Sequence, residues 1–361
     1  MTEPTYIPLR LHTEFSITDG MVRIKKLIAK AQEYGLPALG ISDLMNEFGL
    51  VKFYKACRSA GIKPVGAADV WIGNPNAPDK PFRAMLIIRN DAGYLRLSEL
   101  LTEAYVGKDR NVHHAELNPE WLENGDNSGL ICLSGAHYGE VGVNLLNGNE
   151  DAARAAALKY AAWFPDAFYL ELQRLPERPE WEACVSGSVK LAEELGLPVV
   201  ATHPTQFMNR DDFNAHEARV CIAGGWVLTD KKRPRDFTPS QFFIPPETMA
   251  ERFADLPEAL ENTVEIAKRC NLHITLGKNF LPLFPTPDGL SLDDYLVKLS
   301  NEGLQERMVQ LYPDEAERAA KMPEYQERLD FELNIIIQMK FPGYFLIVQD
   351  FINWAKTHGC P

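Results

Sequence analysis

The amino-acid sequence predicts an α/β fold: an irregular (β/α)7-type barrel over residues 1–280, followed by a mainly helical region over residues 281–361. Up to about residue 205, short runs rich in Val, Ile and Leu alternate with helical patterns, which is typical of strands joined by crossover helices. Such connections build a mainly parallel sheet, and seven units are enough to close a barrel. Beyond residue 205 the apolar spacing is helical.

Each predicted strand is a short apolar run, and most are followed by a helical pattern. The strands are expected at residues 6–11, 37–42, 64–71, 84–88, 129–133, 167–172 and 197–202, and the helices at 21–34, 46–59, 91–105, 150–162 and 178–194. One helix-to-strand junction occurs twice, as GLP at 35–37 and at 196–198. In each copy Gly is expected to end the helix in the left-handed conformation and Pro to lead into a buried strand.

The remaining patterns are helical. They cover residues 211–221, 246–253, 257–270, 292–311, 329–337 and 344–355. The stretch 281–289 is rich in proline, which cannot continue a helix, so we expect a linker there and a domain boundary near residue 280. The last three helices have no accompanying strand pattern, so they are expected to be part of a larger, truncated domain.

Composition places the chain among globular proteins. It is 45% hydrophobic and 24% charged, which excludes a disordered or collagen-like chain. No apolar run reaches the roughly 18–20 residues that span a bilayer, so we expect a cytoplasmic protein without a membrane partner. The net charge of −13 argues against a self-sufficient nucleic-acid binder. The six cysteines form no C-x-x-C pair and are expected to be reduced and buried.

Polar residues follow several predicted strands, at the edge where barrel enzymes place their sites. Alternation puts Arg10 and His12 on one face of the first strand, and Asp19 returns from the next loop. Further polar groups near strand ends are Asp43, Asp69, Glu171 and His203. The pattern fits either a metal site or a buried cluster of ion pairs.

Two observations favour the ion pairs. The sequence lacks the H-x-H, H-x-x-H and H-E-x-x-H spacings that catalytic zinc sites commonly use. Arg10 is permanently positive, so it would repel a divalent cation and could instead pair with the carboxylates. A single residual metal ion remains an alternative. Elsewhere, the basic run KKRPR at 231–235 is interpreted as a solvated loop rather than a phosphate or acidic-partner site. His113, His114 and His137 are interpreted as surface or packing residues.

Longer strings resemble known families. LHTEFSITDG at 11–20, ALGISD at 38–43, GLVKFY at 49–54 and LPVVAT at 197–202 are similar to the PHP (polymerase and histidinol phosphatase) domain. NTVEIAKRC at 262–270, FLPLFP at 280–285 and FPGYFLIV at 341–348 resemble the C family of bacterial replicative polymerases, the alpha subunits of DNA polymerase III. The resemblance covers the chain in order, with a PHP domain at 1–280 and the start of the polymerase palm at 281–361.

The resemblance also implies a set of metal-site positions, which we carry over one residue at a time. His12 and Asp19 match the metal-binding pattern, and Asp69 stands where Glu is typical. The other positions carry residues that do not bind metals in this pattern: Arg10, Leu44, Arg83, Ala136, Pro204 and Gln206. Asp43, Glu171 and His203 are expected to be supporting polar residues. No metal is therefore expected here, and His12, Asp19 and Asp69 are the only candidates for holding one.

The function implied by the resemblance is that of a DNA-directed DNA polymerase, with a PHP domain that is a non-catalytic scaffold. We expect no catalytic residue in this chain, because the palm aspartates that hold Mg²⁺ in the family lie beyond it. The implied partners are the epsilon proofreading exonuclease, the sliding clamp, the clamp loader and primer-template DNA. The alternative, a metal-dependent PHP phosphoesterase or 3′→5′ exonuclease, conflicts with the replaced metal-site positions.

Overall fold

The computed structural model describes residues 4–278 and 281–360 and divides the chain into two compact units, Met1–Ile274 and Thr275–Pro361. The predicted boundary at residue 280 itself lies outside the described residues. The first unit is an α/β domain with a curled half-barrel sheet, and the second is helical. The predicted fold class is therefore confirmed.

The sheet has six strands in the order of the sequence. They are β1 (Ala38–Leu44), β2 (Lys63–Ile72), β3 (Phe82–Ile88), β4 (Leu130–Leu133), β5 (Phe168–Leu172) and β6 (Val199–Ala201). The pairs β1–β2, β4–β5 and β5–β6 are parallel, whereas β3 is antiparallel to both of its neighbours. An antiparallel neighbour needs no crossover helix, so the short connection between β2 and β3 has none.

The first predicted strand is not a strand of this sheet. Residues 6–12, which we call the bridging segment, are hydrogen-bonded to β1 through Gly40 N to Pro8 O (2.7 Å) and Ser42 N to Leu11 O (2.9 Å). On the other side, Leu11 forms an isolated parallel bridge with Thr205, beyond β6. Pro8 has no N–H to donate, and the two bonds are three residues apart in the segment but two apart in β1, so the ladder is interrupted. The prediction of seven strands was wrong for this physical reason.

Ten helices surround the sheet in the described part of the first unit. They are α1 (Ile24–Glu33), α2 (Leu50–Ser59), α3 (Asp91–Val106), α4 (Pro119–Glu123), α5 (Glu140–Leu146), α6 (Glu150–Trp163), α7 (Glu182–Leu195), α8 (Phe213–Gly224), α9 (Pro246–Arg252) and α10 (Pro257–Arg269). Gly35 and Gly196 have φ values of 65° and 66°, which confirms the predicted left-handed stops after α1 and α7. The short helices α4 and α5 were not predicted.

The second unit contains three helices, α11 (Leu292–Leu311), α12 (Glu315–Gln338) and α13 (Pro342–Thr357). Its small core consists of Leu296, Leu333 and Leu346. Within the described residues no single helix is long and apolar enough to cross a membrane, whereas α12 and α13 together, bent by 117°, would pass the same test of length and composition. Five cysteines are buried as expected, but Cys360 is exposed.

Candidate functional site

Arg10 lies at the centre of the predicted site, in the bridging segment, with a side chain that is 5% exposed. Its Nε and Nη2 donate to the two carboxylate oxygens of Glu171 on β5, at 2.7 and 2.9 Å. Its Nη1 donates to Asp69 on β2. Such two-pronged pairing of guanidinium with carboxylate is among the stronger charge-assisted arrangements in proteins. The guanidinium therefore joins two strands of the sheet through ion pairs.

His12 lies beside Arg10 and contacts two carboxylates. Its Nδ1 is 2.9 Å from Asp19 Oδ1, and its Nε2 is 3.1 Å from Asp69 Oδ2. Burial alone would lower the pKa of His12, but the charges and hydrogen bonds of Asp19 and Asp69 raise it to about 9. Both ring nitrogens are therefore donors at neutral pH. The same contacts outweigh burial in Asp19, whose pKa falls well below its usual range.

Arg83 completes the cluster from β3. It is the register partner of Trp71 on β2, so it lies diagonally across from Asp69, two residues earlier on the same face. Its Nη2 is 3.5 Å from Asp19 Oδ2 and its Nε is 3.5 Å from Asp69 Oδ2, while the guanidinium stacks over Trp71 at 4.6 Å. Burial would raise the pKa of Asp69, but Arg10 and Arg83 hold it down at about 2.

These contacts form one cluster of charges, which we call the ion-pair cluster. Its positive members are Arg10, His12 and Arg83, and its negative members are Asp19, Asp69 and Glu171. The two sets balance, so the buried charges compensate one another without an added ion.

The residues of the ion-pair cluster do not fit a divalent metal ion. A histidine ligand must offer a free lone pair, but both nitrogens of His12 face carboxylates as donors. Asp69 Oδ2 is shared by Arg10, His12 and Arg83, and two guanidinium groups would repel a cation there. In residues 4–278 and 281–360 no group of three or more His, Cys, Asp or Glu side chains is arranged to hold a metal.

Of the other positions where the resemblance implies a lost metal ligand, two line a small cavity at the cluster and two do not. A small cavity of about 40 Å³ is lined by Pro204 and Gln206 together with four members of the cluster. Binding pockets for small organic ligands usually measure roughly 300–1,000 Å³, so the cavity has room for water only. Leu44 lies outside this lining, where its backbone N–H donates to Ser16 Oγ at 2.9 Å. Ala136 is buried, with φ of 47°, and is also outside the lining.

Two of the expected supporting residues lie outside the cluster. Asp43 accepts hydrogen bonds from Thr13 N (2.6 Å) and Thr13 Oγ1, and burial raises its pKa to about 6. His203 donates from Nε2 to Phe242 O (2.9 Å), and its Nδ1 accepts from Arg252 (3.2 Å). Burial and the neighbouring Arg252 charge lower the pKa of His203 to about 3, so it is neutral. Only Glu171 of the three belongs to the ion-pair cluster.

Sequence reasoning missed several neighbours of Glu171. Thr202 Oγ1 donates to Glu171 Oε1 (2.5 Å), as does Gln173 Nε2 (3.2 Å), and Gly135 N donates to Oε2 (3.1 Å). Gln173 could have been found, because residues two apart on a strand share a face. Thr202 and Gly135 come from distant segments, and no local pattern marks them.

Two side predictions can also be compared with the structure. His137 packs as expected, stacked on Trp181 with ring centroids 3.5 Å apart. Arg233, in contrast, is not solvated: it is buried and pairs with Glu217 on α8 at 2.5 Å. The interpretation of the basic run as a solvated loop was therefore wrong for Arg233, because its partner lies 16 residues away on a helix.

Comparisons with known proteins agree with this architecture. Residues 8–175 match the PHP domain model, and residues 294–361 match the model described as bacterial DNA polymerase III alpha NTPase domain. DNA polymerase III subunit alpha of Neisseria meningitidis serogroup A is 98% identical over 100% of this chain and 32% of the relative. The subunits of Pseudomonas fluorescens and Escherichia coli O6:H1 are 48% and 47% identical over 99% and 100% of the chain and 30% and 31% of their own lengths. The chain thus spans about a third of these relatives and belongs to the family of bacterial DNA polymerase III alpha subunits.

Proposed function

We propose that this chain is part of a replicative polymerase whose whole protein catalyses DNA-directed DNA synthesis, and that its PHP domain is a non-catalytic scaffold. The single observation that carries the scaffold role is Arg10, which pairs with Glu171 and Asp69 where a metal-dependent hydrolase would hold its cations. Hydrolysis by a metal-bound water requires open coordination positions on a cation. The carboxylates of the balanced ion-pair cluster are already paired with cations, and within the described residues only Asp69 Oδ1 among the buried carboxylate oxygens of the cluster lacks a hydrogen bond.

The cluster has a structural role in this proposal. It connects the bridging segment, the loop that carries Asp19, and strands β2, β3 and β5. These ion pairs join segments that are distant in sequence. They stabilise the contacts between those segments only when every partner is present. Removing one partner leaves a buried unpaired charge, which is costly.

The proposed partners follow from membership in the family. We propose that the PHP domain docks the separate epsilon proofreading exonuclease, and that the whole protein works in the cytoplasm with the sliding clamp and clamp loader. The net charge of −13 supports a protein partner rather than direct contact with DNA along this chain. We expect primer-template DNA and the catalytic Mg²⁺ to be bound by parts of the protein beyond these residues.

Metal analysis tests the scaffold role. The purified chain is incubated with Zn²⁺ or Mn²⁺, desalted and measured by elemental analysis, and hydrolysis of single-stranded DNA is followed with and without EDTA. We expect metal well below one equivalent and no EDTA-sensitive hydrolysis. Stoichiometric metal together with EDTA-sensitive hydrolysis would overturn the scaffold role in favour of the phosphoesterase.

A separate measurement tests the docking. The chain and the purified exonuclease are mixed and passed over a gel-filtration column, with an unrelated acidic protein as the control. We expect the exonuclease to co-elute with the chain and not with the control. Independent elution would refute docking on these residues while leaving the scaffold role intact.

A further inference from the structure

A second cavity, outside the ion-pair cluster, contains three arginines. It measures about 400 Å³ and lies beyond the end of β5. We call it the arginine cleft; its lining includes Arg174, Leu175, Arg178, Pro179, Trp181 and Arg252. This volume is within the usual range for small-ligand pockets, in contrast to the small cavity at the cluster.

One of the three arginines is already neutralised. Arg174 pairs through two prongs with Glu182 (2.9 and 2.7 Å) and again with Asp255 (2.6 and 3.0 Å). Glu182, which also lines the cleft, is thereby engaged. Arg174 therefore lines the arginine cleft, but its positive charge is already paired.

Arg252 is a different case, because its charge has no carboxylate partner. In the part of the chain that the structure describes, no carboxylate lies within 4.0 Å of its guanidinium. Its Nη1 instead contacts His203 Nδ1 (3.2 Å) and Arg174 O (3.4 Å), both uncharged. Half-burial disfavours the charged form and lowers the pKa of Arg252. Glu177 favours the charged form only from beyond ion-pair distance, so this half-buried cation is left without a paired anion.

Arg178, the third arginine of the cleft, has a hydrogen-bond donor that is not used. Its Nη2 donates to Arg235 O at 2.6 Å, and its Nη1 lies 3.6 Å from Glu180, whose side chain is 57% exposed. Its Nε is buried and has no hydrogen-bond partner among the described residues. A buried donor without an acceptor is destabilising, so it indicates a missing acceptor. Arg178 thus has an unsatisfied donor, and Arg252 has a charge without a carboxylate within 4.0 Å among the described residues, at one cleft.

We propose that the arginine cleft binds a phosphate group, either free or as a monoester. Arginine matches phosphate oxygens through its planar set of donors. A phosphate dianion also balances the charge of two arginines better than a singly charged carboxylate ligand does. Leu175, Pro179 and Trp181 form an apolar wall that can cover the body of an ester. This binding goes beyond the scaffold role and does not depend on it.

Isothermal titration at constant ionic strength tests the proposal, with inorganic phosphate, phenyl phosphate and benzoate as probes. We expect saturable binding of phosphate, and binding weaker by about tenfold or more in Arg178→Gln and in Arg252→Gln. Arg252→Lys, which keeps the charge, should retain more affinity than Arg252→Gln. Arg58→Gln is the matched control, since Arg58 is exposed on α2, far along the chain from the cleft.

The outcomes separate the sources of the phosphate. If phenyl phosphate binds more tightly than inorganic phosphate, the ligand of the cleft is a phosphate monoester. If the two bind equally, the ligand is the free phosphate ion. The proposal is overturned if phosphate does not saturate, if benzoate binds as tightly as phenyl phosphate, or if both arginine variants bind like the Arg58→Gln control. Circular dichroism of each variant verifies that a loss of binding does not reflect unfolding.

Discussion

At the scale of single residues, the behaviour of the site depends on Arg10. Its guanidinium is the only group that contacts both Glu171 and Asp69 in the described cluster, and all three side chains are buried. The buried positive charge of Arg10 is stabilising only because both carboxylates accept hydrogen bonds from its guanidinium. A neutral side chain at this position would leave the buried Glu171 without its cationic partner and remove one of the three cations around Asp69.

Arg10→Gln is therefore expected to lower the free energy of unfolding by about 3–5 kcal/mol, the usual cost of breaking a buried ion pair from one side. Urea unfolding of the variant and of wild type measures the difference. Arg58→Gln, on the exposed face of α2, should leave stability unchanged. A loss for Arg10→Gln no larger than that of the control would contradict the structural role of the cluster.

His12 makes stability depend on pH. Its pKa is raised to about 9 in the folded state, so its contribution is fully present below its unfolded value of 6.5 and is lost as pH rises through 9. We expect the unfolding free energy of wild type to fall by on the order of 3 kcal/mol over this window relative to His12→Gln. Urea unfolding at several pH values checks this. Parallel pH curves for the two proteins would show that His12 is not protonated.

At the scale of elements, the bridging segment depends on its close approach to β1. Gly40 has no Cβ, and an added one would meet the backbone of Leu9, which cannot move aside as a flexible side chain can. This approach is what allows Gly40 N to bond Pro8 O. The segment that carries Arg10 and His12 is thereby placed against the sheet.

Gly40→Ala should push the bridging segment away from β1 and lower the unfolding free energy by about 1–3 kcal/mol. Hydrogen exchange of the β1 amides should become faster in this variant. Gly303→Ala is the matched control: it lies inside α11 with open space around a Cβ, so it should preserve or slightly raise stability. Unchanged exchange in β1 would show that the close approach is not required.

At the scale of the whole molecule, the chain consists of two units with separate apolar cores. The core of the first unit is extensive and includes residues from every strand, whereas that of the second centres on Leu296, Leu333 and Leu346. The ion-pair cluster and the arginine cleft both belong to the first unit. The first unit thus contains all the contacts on which the proposals above rest.

A chain ending at Ile274 is expected to fold by itself, because it retains the large core and the complete ion-pair cluster. Its melting temperature should lie within a few degrees of the unfolding transition of the first unit in the 361-residue chain. Scanning calorimetry and near-ultraviolet circular dichroism measure this. A non-cooperative transition without near-ultraviolet signal would mean that the first unit needs the rest of the chain.

Much of the architecture could be predicted because it depends on local spacing. The strands at β2 and β5, the helices α3 and α6, and the left-handed stops at Gly35 and Gly196 all follow from apolar periodicity and glycine geometry. Strand alternation also placed Arg10 and His12 on one face. These features require only that neighbouring residues share a conformation.

The sequence by itself therefore determined the α/β class and most of the elements, and its resemblance to a known family predicted the positions of a replaced metal site. Only the tertiary structure decided which charges meet: Arg10 and Glu171 are 161 positions apart, and Asp43 and His203 have partners of their own. It also decided the antiparallel setting of β3, the burial of Arg233 and the unsatisfied Nε of Arg178 in the cleft. The physical reason is that hydrogen bonds and ion pairs act over a few ångströms, and chain closure, not local periodicity, brings distant residues within that range.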